Sequence, residues 1–83
     1  MNTQDTGVLA IQHVVANASP GAWRDAIVTR VDQGILLRCL SGAELLVVSN
    51  APVVDGEPVA FHPVAEVLAV GAQRYLARDL SRA

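Results

Sequence analysis

Eighty-three residues, 52% of them hydrophobic and only 17% charged, allow one small domain and are apolar for a chain of that size. The net charge of −2 comes from six arginines, no lysine and eight acids, which argues against a general nucleic-acid binder that must neutralise phosphates. A single cysteine excludes an internal disulfide, and only Trp23, Phe61 and Tyr75 could stack on bases.

In chain order, residues 1–6 are polar and expected to fray. Residues 8–18, VLAIQHVVANA, fit an amphipathic helix. Gln12, His13, Ala16 and Asn17 share one side of it with Asp5, and Ile11, Val14, Val15 and Ala18 share the other. Asp5 or Thr6 would supply the N-cap. Leu9 falls on the polar side, and the β-branched residues also allow a strand. Ser19-Pro20-Gly21 ends the segment, and Trp23 is expected as a cap over the core. No basic region precedes the apolar stretch and no run approaches the ~18 residues of a membrane span, so a cytoplasmic protein is expected.

Ala26 to Val48 organises the chain. It reads AIVTRV, DQG, ILLRCL, SG and AELLVV: three apolar runs with two short breaks. Short loops make antiparallel neighbours. A three-residue loop at Asp32-Gln33-Gly34 places Val31 opposite Ile35, and a two-residue loop at Ser41-Gly42 places Leu40 opposite Ala43. Alternation then assigns Ile27, Thr29, Val31, Ile35, Leu37, Cys39, Leu46 and Val48 to the interior. Cys39 reads as a small buried residue, not a nucleophile. Val28, Arg30, Leu36, Arg38, Leu45 and Val47 fall on the outer face, together with Ala26, Leu40 and Ala43. A one-residue slip in any strand would exchange its faces.

Beyond Val48, SNAPVVDGEP is a loop with a turn at Asp55-Gly56, and Val53 and Val54 pin it to the core. Further strands are expected at Val59–His62, Val64–Val70 and Gln73–Ala77, with Pro63 marking an edge, bulge or bend. Residues 79–83 are expected to fray. The fold class is mainly β: a small SH3-like or OB-like antiparallel barrel of five to six strands with a short N-terminal helix, one domain over 1–83 with its barrel core at 24–77.

The stretch VTRVDQGILLRCLSGAELLVV, a loop, and DGEPVAFHPVAEVLAV resembles the TOBE domain, the small barrel of ABC-transporter ATPases and molybdate-handling proteins. The resemblance covers about half of the chain. It implies a barrel and, by extension, binding of a small oxyanion such as molybdate. The Ser-Ala-Arg-Asn-type segment of molybdate-binding members is replaced by ANASPGAWRD, so no ligand residue carries over.

Chemistry is thinly represented. His62 and Glu66 could form an acid–base couple, but a hydrogen-bonded histidine is the simpler reading because no third partner is evident. His13 and His62 make a weak metal pair. Arg30 and Arg38 lie diagonally adjacent on the outer face in this register and could hold an oxyanion, although their stems would also cover apolar surface. No motif for catalysis, a cofactor or a metal stands out. The reading is a non-catalytic interaction module, a homo-oligomer or a subunit of a larger assembly, with Val28, Leu36, Leu45 and Val47 as the interface. The alternatives are a TOBE-like oxyanion binder and, disfavoured by charge, a nucleic-acid-binding barrel.

Overall fold

A computed structural model describes residues 7–80. Helix α1 (Ala10–Ala18) and a 3-10 turn (Pro20–Ala22) precede six strands: β1 (Arg24–Val31), β2 (Gly34–Cys39), β3 (Glu44–Ser49), β4 (Pro58–His62), β5 (Val67–Val70) and β6 (Gln73–Asp79). The strands close into an antiparallel barrel in the order β1-β2-β3-β6-β5-β4. It is two three-stranded meanders joined edge to edge. Closure leaves no unpaired sheet edge.

Both hairpin loops of the first meander differ in length from expectation. Val31 pairs with Gly34, so the first loop is Asp32-Gln33 alone. A Cβ at Gly34 would lie 2.3 Å from the Val47 carbonyl oxygen, so β2 begins on a residue that can carry no side chain. In the second hairpin Arg38 pairs with Glu44 and the Cys39 N–H donates to Ala43 O (2.8 Å), which makes the loop Leu40-Ser41-Gly42. Gly42, at φ 99°, takes the left-handed position of a three-residue loop.

These one-residue shifts exchange the faces of β1 and β3 and leave β2 as expected. Ala26, Val28 and Val47 are buried, and Leu45 is half-buried against them. Ile27, Thr29, Val31 and Val48 are outside. Ile35, Leu37 and Cys39 point inward as expected, with Cys39 a buried free thiol. Phe61, Leu68, Tyr75 and Ala77 of the second meander complete the core.

The loop between β3 and β4 crosses one end of the barrel. Ala51 and Val53 enter the core, while Val54 stays exposed. The loop is stitched to β1: Val28 N–H donates to Glu57 O (3.1 Å), Gly56 N–H to Val28 O (2.8 Å) and Arg30 N–H to Asp55 Oδ1 (2.7 Å). Strand β5 is shorter than expected, because Pro63 starts a turn in which Glu66 adopts φ 55°. Strand β6 is longer. Asp79 pairs with Val47 and Leu80 N–H donates to Leu46 O (2.8 Å), so the chain is ordered through residues 79 and 80; residues 1–6 and 81–83, also expected to fray, lie outside the described residues.

Gly34→Ala should cost about 1–3 kcal/mol, because the added carbon must displace a backbone carbonyl in a closed barrel. Equilibrium urea unfolding checks it. A change below about half a kcal/mol would disprove the close approach that sets the β1–β2 register.

Candidate functional site

The functional reading of the outer meander face does not survive the register. Val28 and Val47 have no exposed surface and Leu45 packs on the core, so three of the four proposed interface residues are interior; only Leu36 remains on the outer face, half-buried. Arg30 and Arg38 are not neighbours. Arg30 pairs with Ile35 and Arg38 with Ile27, which places them on opposite sides of the sheet. The Arg30 Nη1–H donates to Val53 O (3.3 Å), and Arg38 forms an exposed cross-strand ion pair with Glu44 (3.2 Å). Neither arginine is poised over a shared site.

Helix α1 docks on the outside of the second meander. The helix lies against β5 with Ala16, Val15 and Val8 on Ala65, Val67 and Trp23, a small apolar cluster separate from the barrel core. Trp23 therefore closes this outer cluster and does not cap the barrel. Ala16 is fully buried, and its small side chain allows the helix to approach closely.

His62 sits beneath this layer without exposed surface. Its Nδ1 accepts from Ala65 N–H (3.1 Å), so the ring proton is on Nε2, which donates to Ser19 O (2.9 Å). Trp23 meets the imidazole edge-on, with centroids 5.1 Å apart. Both nitrogens are engaged, so His62 is a rivet between β4 and the end of α1. The Glu66 carboxylate accepts instead from Asp79 N–H (3.2 Å), and the His62–Glu66 couple does not form.

His13 is likewise engaged elsewhere. Its Nδ1 lies 3.2 Å from Arg74 Nη1, while Arg74 Nη2 donates to Asn17 Oδ1 (3.0 Å). The guanidinium also lies 5.3 Å from the Trp23 ring centroid, within cation–π range. Gln12 bridges the helix start to the β4–β5 turn: its Oε1 accepts from Leu9 N–H (2.9 Å) and its Nε2–H donates to Ala65 O (2.9 Å). The N-cap position is Leu9, not Asp5 or Thr6. Among the described residues, no three His, Cys, Asp or Glu side chains converge as a metal site.

The helix thus docks mainly by the side its wheel marks as polar, with Val15 of the other side also on the cluster. Gln12, His13 and Ala16 turn toward the barrel, because Ala65 O and Arg74 are there to receive them. Ile11 and Val14 are left 62% and 59% exposed, with Leu9 at 64%. A shallow groove of about 440 Å³, floored by Val48, Leu76 and Leu80, runs along the β3–β6 seam as a second apolar feature.

Replacing His62 by Ala should cost about 2–4 kcal/mol, since Ser19 O and Ala65 N–H lose their partner and a cavity opens. Urea unfolding gives the loss, and hydrogen exchange should show the Ala65 amide less protected. Unchanged stability would show that His62 does not fasten the helix.

Among the described residues, no helix is long and apolar enough to cross a membrane. Comparison with protein-family models, with curated proteins and with solved structures returned no significant match.

Proposed function

We propose that this barrel is a non-catalytic interaction module of the cytoplasm that self-associates through the outward face of α1. The observation that carries the reading is the inverted helix, which spends its polar side on the barrel and presents Leu9, Ile11 and Val14 to solvent. Residues 7–23 contain no Asp, Glu, Lys or Arg. Such a face has no charge with which to select a charged partner, and two copies related by a two-fold axis can meet there without like-charge repulsion. A second copy of the chain is therefore the occupant.

The magnitude points to a weak dimer. Nine helical residues make a ridge about 13 Å long. That supplies a few hundred Å² per subunit, well under the ~800 Å² per partner of a stable interface. The TOBE-like pattern is compatible with a barrel that serves as an accessory module, and it adds no ligand residue to the reading.

Sedimentation equilibrium should show reversible dimerisation with a dissociation constant on the order of 10–1000 µM. Val14→Glu should be monomeric throughout while retaining its melting temperature, because the site is exposed. Wild-type protein that stays monomeric at about 1 mM, or an equally dimeric Val14→Glu, would defeat the proposal.

A further inference from the structure

We infer that Arg74, His13 and Asn17 form a carboxylate-binding site at the junction of α1 and β6. The inference is independent of self-association, because it uses the flank of the helix and not its apolar ridge.

It follows from counting donors. A guanidinium has five N–H donors and no acceptor. Arg74 therefore donates in both of its side-chain contacts, to His13 Nδ1 at 3.2 Å and to Asn17 Oδ1 at 3.0 Å. Those bonds dictate what the partners have left. Neutral His13, accepting at Nδ1, carries its proton on Nε2, and Asn17, accepting at Oδ1, retains its amide NH₂. Arg74 itself keeps three N–H groups, the Nε–H among them. No buried side-chain nitrogen or oxygen among the described residues lacks a hydrogen-bond partner, so Arg74 Nε and His13 Nε2, which make no such bond, reach the surface, as does the exposed Asn17. The cluster thus offers donors on all three residues, with the second lone pair of Asn17 Oδ1 as its one remaining side-chain acceptor.

Among the described residues its charge is also uncompensated. Among the described residues Arg74 has no carboxylate within ion-pair distance, and both of its hydrogen-bond acceptors are neutral. The Trp23 ring at 5.3 Å and the two bonds to α1 hold the guanidinium in one orientation. An arginine fixed in advance loses less rotamer entropy on binding, and its planar fork matches the two oxygens of a carboxylate. The i, i+4 spacing of His13 and Asn17 puts both on the helix face that meets Arg74, where each accepts from one of its Nη atoms.

The test is a titration of the full chain with sodium acetate, and in a second arm with N-acetylglutamate amide, against sodium chloride at equal ionic strength. The readout is the Arg74 Nε–H and Asn17 Nδ2–H resonances. Saturable shifts should appear with half-saturation of about 1–10 mM, the affinity that two or three charge-assisted hydrogen bonds support. Tighter binding of acetate would identify a free small acid as the source, and tighter binding of the glutamate derivative a protein side chain. Asn17→Asp is the decisive variant. It is isosteric and supplies an internal carboxylate to Arg74, so it should weaken acetate binding at least tenfold without lowering the melting temperature by more than about 5 °C. Arg74→Gln should abolish binding, with Trp23 fluorescence reporting whether α1 stays docked. No saturation below about 100 mM, or undiminished binding by Asn17→Asp, would overturn the site.

Discussion

The contact on which the barrel depends is the approach of Gly34 to the Val47 carbonyl, which brings β2 and β3 so close that a Cβ would stand 2.3 Å from the oxygen. With no side chain there, Gly34 joins the ladder opposite Val31 and the first loop shrinks to two residues. The register of β1 follows, and with it the burial of Ala26 and Val28. A side chain at that position would push the strands apart or force the pairing to slip, and a slip would turn Ile27 and Thr29 inward in their place. Because the sheet closes through β1–β4 and β3–β6, such an error could not be confined to one hairpin.

A second set of interactions attaches the N-terminal segment. His62 fastens Ser19 from below, Gln12 grips Ala65 O, and Arg74 holds both His13 and Asn17. Each is a polar bond made on the outside of a β-sheet. They decide the helix orientation against its own hydrophobic pattern. Turning Ile11 and Val14 inward would bury apolar surface, but it would also take Gln12 from Ala65 O and both His13 and Asn17 from Arg74, and each such hydrogen bond is worth about 0.5–1.5 kcal/mol. Docking the polar side keeps all three bonds and leaves Ile11 and Val14 exposed.

Fold and surface are therefore coupled through one helix. Its inner side packs on the second meander, its ridge of Ile11 and Val14 stays exposed, and its flank holds Arg74 of β6 in place. The groove along the β3–β6 seam is lined by Val48, Leu76 and Leu80 together with Gly7, which precedes α1, and is framed by the same closure that joins the two meanders.

Composition and local pattern were enough to read a mainly β barrel of five to six strands, the turn at Asp55-Gly56 and the inward placement of Leu37 and Cys39. Those features depend on residues close together in sequence: β-branched runs, Gly turns and alternation within one strand. Loop length in each hairpin was not legible. Asp-Gln-Gly and Ser-Gly each allow two registers, and the choice between them rests on the backbone of another strand meeting Gly34. For that reason Val28, Leu45 and Val47 read as surface although they are interior. The cluster around Arg74 was equally hidden, since Asn17 and Arg74 are 57 residues apart and no local spacing relates them. Strand identity is a property of short-range pattern; which face a strand shows, and which side of a helix meets the barrel, is decided only when distant segments compete for the same hydrogen bonds and the same space.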